Sequence, residues 1–171
     1  MTWGLPQERC HAVLDSPVGP LTVLAAHGAL LGLWMERHKR PQWLGLGPRT
    51  DRAFGVVERE LGEYFAGERT EFDLPVNPPG SSFERSVWAL VQAIPYGATR
   101  TYGDLAHELG DPNAAQAVGG ANGRNPVSIV IPCHRVVGAD GSLTGYAGGL
   151  EVKRQLLQLE ARSAHPPDRL F

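Results

Sequence analysis

The chain has 171 residues, of which 42% are hydrophobic and 20% charged, and a net charge of −2. These values describe a globular protein with a real hydrophobic core, in one domain or two small ones, and exclude a disordered or collagen-like chain. No apolar run reaches the length of a membrane span, and Met1–Pro6 lacks the basic and apolar regions of a signal peptide. The two cysteines, Cys10 and Cys133, make no disulfide framework, so the expected compartment is a reducing cytoplasm that keeps both thiols free. From residue 80 onward eight Lys/Arg face eight Asp/Glu, so charge alone gives no basic face for nucleic acid.

In chain order, three short apolar runs come first, at 11–15, 21–25 and 30–34. Turn-forming residues at 16–20 and at His27-Gly28 separate them, which predicts an antiparallel meander. Residues 37–50, with two prolines and two glycines among basic residues, read as a loop. From Asp51, the apolar positions Phe54, Val57, Leu61, Tyr64 and Phe65 recur at helical spacing. Nothing in this half looks catalytic, and it reads as scaffolding. Pro75, Pro78, Pro79 and Gly80 mark a boundary, giving an amino-terminal unit over 1–79 and a second unit over 80–171.

Ser81 with Glu84 three residues later is a helix-capping pattern, followed by an apolar stripe at Phe83, Val87, Leu90, Val91 and Ile94 that Pro95 ends. Thr101-Tyr102-Gly103-Asp104 caps a further helix running to about Leu109. After a break at 110–113, Asp111 and Pro112 suit the cap and first position of a helix over 114–121. Helix, short turn and small-residue helix is the outline of a helix-turn-helix. Gly119 and Gly120 near its end each cost roughly 1 kcal/mol relative to alanine. Close packing against another helix and close approach to a rigid surface such as a DNA groove both explain them. The fold class is therefore α/β in the α+β sense: a small antiparallel sheet with a helix, then a mainly helical unit.

The run 125–131 reads as a buried strand or core segment, and it delivers Pro132-Cys133-His134-Arg135-Val136. Cys133 is open to two readings, an inert buried thiol or a nucleophile. Adjacent side chains oppose one another in a regular strand, but Pro132 disrupts ladder geometry just where the thiol appears. A long glycine-rich loop over 138–149 follows, without the pattern of a phosphate loop. An amphipathic helix is predicted from Leu150 to Glu160, and the tail 161–171 reads as polar surface.

In this setting the sequence resembles the O6-alkylguanine-DNA alkyltransferases, which repair alkylated DNA by moving the alkyl group to their own cysteine. The resemblance rests on Ile94-Pro95-Tyr96-Gly97, Thr101 to Ala106, Ala117 to Asn122, Asn125-Pro126, Pro132 to Val136, Gly145 to Gly149 and Glu160, with 14–21 similar to the family's amino-terminal domain. It implies that Cys133 is the alkyl acceptor, that His134 takes the thiol proton through a water, and that Glu160 orients His134. Asn125 would brace the active-site turn.

It also implies a double-stranded DNA partner entered through the minor groove by the second helix, where Ala115, Ala117 and Gly119 are small, and a base flipped into the site. Tyr102 would help rotate the nucleotide out and bond the base ring. The carbonyls of Cys133 and Val136 would read the exocyclic amine, and the Ala147 N–H would face the alkylated oxygen. Position 116 is usually an arginine that plugs the stack; here it is Gln116, which predicts weaker DNA capture with the chemistry intact. Arg124 and Arg135 are candidate sources of replacement charge. No cofactor and no membrane partner are expected, and a monomer is, with cooperative assembly on DNA left open; some relatives hold a structural zinc in the first domain, but the residues of this chain predict no metal site.

Three other readings fit less of the chain. A lesion-binding relative that is catalytically weak would keep the fold without needing Cys133 and its partners. A Cys-His hydrolase would not need the helix-turn-helix. A phosphotriester sensor with a four-cysteine zinc site cannot be built on Cys10, nor do His11, His27 and His38 complete a tetrahedral set with it.

Overall fold

A computed structural model describes residues 4–165. Three strands open the chain, β1 (Cys10–Leu14), β2 (Leu21–Ala26) and β3 (Ala29–Met35), in an antiparallel meander of that order. The β2–β3 hairpin turns on His27 and Gly28, both at positive φ, 53° and 73°. A two-residue turn with both φ positive matches the twist of the strands it joins.

A 3-10 turn (Asp51–Phe54) leads into α1 (Gly55–Phe65), which lays Val57, Leu61 and Tyr64 into the core beside the sheet. On the other face Leu24, Leu31 and Trp34 pack with Leu44 of the loop after β3. Both sheet faces are thus covered, which explains why β2 and β3 are apolar nearly throughout rather than alternating.

The free edge of β3 joins the two halves. Leu30 exchanges backbone hydrogen bonds with Pro75 and Asn77, both 2.8 Å. Leu33 N donates to Pro126 O at 2.8 Å, and Ser128 N donates to Leu33 O at 3.0 Å. An edge that otherwise invites aggregation is consumed by the segment leading to Cys133.

Next come α2 (Ser82–Gln92), β4 (Arg100–Thr101), α3 (Tyr102–Glu108) and α4 (Ala115–Gly123). Capping boxes start α2 at Ser81/Glu84 and α3 at Thr101/Asp104, and Asp111 caps the 3-10 turn Pro112–Ala114 before α4. Trp88 of α2 donates Nε1–H to Ala121 O of α4 at 2.8 Å, fixing the second helix of the helix-turn-helix against the core. A two-residue parallel ladder between β4 and β5 (Val136–Val137) sets the Cys-His-Arg turn beside the start of α3.

Two elements differ in form from the sequence reading. Of the two readings of residues 125–131, strand or core segment, the strand is absent: they are buried in the core as a compact turn with Ile129 at φ 72°. Side-chain bonds from Asn125 override the β-branched pattern there, since Nδ2 donates to Ile131 O (2.8 Å) and Oδ1 accepts from Val127 N (3.0 Å). The final helix α5 runs Leu150–Ala164, four residues beyond Glu160, because Ala161, Arg162 and Ala164 are good helix formers. His165 follows it, exposed, and the rest of the predicted tail lies outside the described residues.

Candidate active site

Cys133 opens a 3-10 turn (Cys133–Arg135) and is 5% exposed. Burial pushes its thiol pKa up, with Asn125 and Lys153 pulling the other way. The resting group at neutral pH is therefore a thiol rather than a standing thiolate, and attack requires a base.

His134, fully buried, places Nε2 2.7 Å from Glu160 Oε1. Burial lowers the imidazole pKa, and Glu160 opposes the shift without cancelling it. A carboxylate only accepts, so the neutral ring carries its proton on Nε2. Nδ1 then holds a lone pair, is buried, and has no hydrogen-bond partner among the described residues. That nitrogen is free to take a proton, one residue from the thiol.

Glu160 is the hub. Besides His134 it accepts from Arg135 Nε and Nη2 at 2.9 Å each and from Tyr64 Oη at 2.8 Å, with Gly97 N at 3.4 Å. Burial pushes its carboxyl up, but His134 and Arg135 outweigh that and hold it at about 2. The carboxylate stays charged and keeps the imidazole aimed.

Arg135, expected among the DNA contacts, is instead an internal residue. It is 6% exposed, bonded twice to Glu160 and once to Ile94 O (2.7 Å), with its guanidinium over the Tyr96 ring. A buried carboxylate needs a cation, and the adjacent arginine provides it.

Asn125 braces the turn before Cys133, which holds the β-branched Ile129 in a left-handed conformation costing about 1–3 kcal/mol. Asn122, part of the matching pattern but given no role in the sequence reading, donates Nδ2 to Cys133 O at 3.2 Å. Tyr102, at the start of α3, accepts from Thr144 of the glycine loop at 3.0 Å. Ala147 lies half-buried in the same loop, next to Gly148, where a Cβ would collide with Met35 of β3.

On α4, Gln116 and Ala117 are exposed, while Ala115 and Gly119 are half-buried; Val118, Ala121 and Asn122 face inward. Arg124 follows α4 at the surface and pairs with Glu84 at 2.7 Å.

Two further residues escaped the sequence. Tyr64 counted only as a core aromatic on α1, yet its hydroxyl reaches Glu160. Lys153 is buried and donates Nζ–H to Val136 O (2.6 Å) and Thr144 O (2.9 Å), joining the Cys-His-Arg turn to the glycine loop. Lys153, Leu156 and Glu160 are the buried positions of α5, a stripe at spacings of three and four that includes the charged residues. That register was the available signal.

Two family profiles match the chain: "6-O-methylguanine DNA methyltransferase, ribonuclease-like domain" over residues 10–78 and "6-O-methylguanine DNA methyltransferase, DNA binding domain" over 82–162. A methylated-DNA–protein-cysteine methyltransferase from Mycolicibacterium paratuberculosis is 49% identical over 161 residues, covering 94% of this chain and 96% of the relative. One from Methanosarcina acetivorans is 44% identical, covering 88% and 97%.

Among solved structures, Mycobacterium tuberculosis O6-methylguanine methyltransferase aligns with a TM-score of 0.84 at 45% identity over 94% of this chain and 97% of that one. Mycobacterium tuberculosis OGT in complex with DNA aligns at 0.83 and 46%, over 90% and 93%. Identity at this level over nearly the whole length, with the fold shared, places both halves in one lineage: the chain belongs to the 6-O-methylguanine DNA methyltransferase family.

Proposed function

We propose that this protein repairs DNA directly, transferring the alkyl group of O6-alkylguanine in a duplex to Cys133. The observation that carries the reading is the burial of Cys133, His134 and Glu160 together, with His134 Nδ1 free to accept a proton and Nε2 fixed by Glu160.

The thiol proton passes through a water to Nδ1 while sulfur attacks the alkyl carbon. The S–C bond forms as the C–O6 bond breaks, guanine leaves with the electron pair, and the proton is returned to the base. Glu160 stabilises the transient imidazolium. A thioether has no ready route back, so each molecule acts once.

The amino-terminal unit (1–79) supports the site, and the unit over 80–171 carries chemistry and DNA binding. Its α4 enters the minor groove with Ala115, Ala117 and Gly119 at close approach, Gln116 stands at the gap left by the flipped base, and Tyr102 assists the rotation. Val136 O keeps one lone pair for the guanine amine after Lys153 takes the other. Ala147 N–H meets the alkylated oxygen. The protein works as a monomer in the cytoplasm without a cofactor.

Intact mass before and after incubation with duplex O6-methylguanine DNA tests this. A gain of one CH2, located on Cys133 and absent in Cys133→Ser, is expected. Multiple turnover with an unmodified protein would overturn the mechanism, and binding without transfer would favour a lesion-binding relative.

A further inference from the structure

The loop after β3 carries Arg37 and Lys39, both exposed and making no ion pair or hydrogen bond among the described residues. The loop is nevertheless held in place: His38 N bonds Met35 O (3.0 Å), Leu44 N bonds Pro41 O (3.1 Å), and Leu44 is buried against Trp34. Arg37 and Lys39 line a cleft of about 610 Å³ whose far wall is Gly123 and Arg124, at the end of α4, and whose edge includes Ala147 of the glycine loop. The one carboxylate lining it, Glu84, is already paired with Arg124. Burial lowers the pKa of His38 in the same wall, so the cleft's positive excess is that of Arg37 and Lys39.

The cleft therefore continues the surface of α4 onto the amino-terminal half and carries unneutralised positive charge. The outward side of α4 carries none: Ala115, Gln116, Ala117 and Gly119 are all neutral. The nearby cation Arg100 is tied to Glu108. A duplex presents a phosphate every 3.4 Å of axis per strand, and a protein with a net charge of −2 needs local cations to hold it.

We propose that this cleft is a second DNA-binding surface, in which Arg37 and Lys39 contact backbone phosphates of the strand leaving the end of α4 and offset the charge missing at Gln116. The inference rests on the DNA-repair reading above. It assigns the amino-terminal half a direct part in holding DNA. The contacts position the duplex and carry no base information.

The test uses the full chain with Cys133→Ser in the background, so that lesion duplex is bound without reaction. Dissociation constants are measured across a salt series for the parent, for Arg37→Ala/Lys39→Ala, for the charge-keeping Arg37→Lys/Lys39→Arg, and for a control pair elsewhere, Arg52→Ala/Arg162→Ala. Loss of two phosphate contacts makes the slope of log K on log salt shallower by about 1.8. The charge-keeping pair retains the parent slope, and the control pair changes it by less than half as much. A parent slope in the alanine double variant, or an equal drop in the control, overturns the proposal. A reactive wild type that gains no alkyl group and a parent that binds no duplex would instead sink the functional reading, so the two failures are distinguishable.

Discussion

Replacing Tyr64 with phenylalanine removes one hydroxyl and leaves the ring packed against Phe65, Phe72 and Tyr96. The hydroxyl donates to a charged oxygen, a class of hydrogen bond worth about 1.5–3 kcal/mol. Glu160 keeps His134, both Arg135 contacts and Gly97, so no charge is orphaned, and the loss belongs at the low end, about 1.5–2 kcal/mol. For a chain of this size that lowers Tm by about 3–8 °C. The same oxygen, Oε1, also accepts from His134, so losing one donor strengthens the hold on the other and raises the imidazole pKa. The acid limb of the single-turnover rate profile therefore moves to higher pH, while the rate on its plateau falls less than about tenfold. His134→Ala, by contrast, removes the base and costs about 10²–10⁴-fold. A Tyr64→Phe protein with wild-type melting and an unshifted profile would refute the reasoning, as would one as slow as His134→Ala.

Acid should unfold the protein in two stages. His134 is held below its ordinary 6.5 by burial, so its unfolded form binds protons first and stability begins to fall as pH drops through that value. Glu160, held at about 2 against an ordinary 4.5, contributes about 3 kcal/mol above pH 4.5 that is lost between there and 2. Urea melts across pH 2–8 check this, and a flat profile below pH 6 would contradict it. Arg135→Met leaves Glu160 buried without its cation and should cost about 3–5 kcal/mol, with no change in the salt dependence of DNA binding; a shallower salt slope would return Arg135 to the DNA face. Gln116→Arg should tighten duplex binding and speed alkyl capture, and identical binding and transfer rates would remove the significance given to this position.

The sequence made visible whatever rests on local pattern. The meander, both capping boxes and the break at Asp111-Pro112 follow from turn chemistry and periodicity within a few residues of each other. What it hid depends on partners far apart in the chain. Tyr64 and Glu160 are 96 positions apart, and nothing near Tyr64 distinguishes a hydroxyl that meets a carboxylate from one that meets water. Arg135 looked like a surface cation because arginine usually is one, and only the buried acid 25 positions on makes an interior place for it. The stretch 125–131 was open to two readings, strand or core segment, and local pattern could not choose between them: its β-branched residues suit a strand, but two side-chain bonds from Asn125 fold it into a buried turn of the core.

These hidden contacts explain how an unreactive thiol is compatible with a reactive site. Burial keeps Cys133 protonated, which protects it from adventitious chemistry while no base is bound. Reactivity then has to come from the neighbours, and each is fixed by something further out: His134 by Glu160, Glu160 by Arg135 and Tyr64, and the carbonyls of Val136 and Thr144 by Lys153. Tyr64 belongs to the first half of the chain and Lys153 to the last helix, so the Glu160 carboxylate that fixes His134 and the Val136 carbonyl are held by residues from opposite ends of the chain. A perturbation of α1 should thus alter proton transfer at Cys133 without touching DNA, whereas one in the loop after β3 should alter DNA affinity without touching the proton. The two halves of the amino-terminal unit's contribution are separable by experiment because they reach the site through different elements.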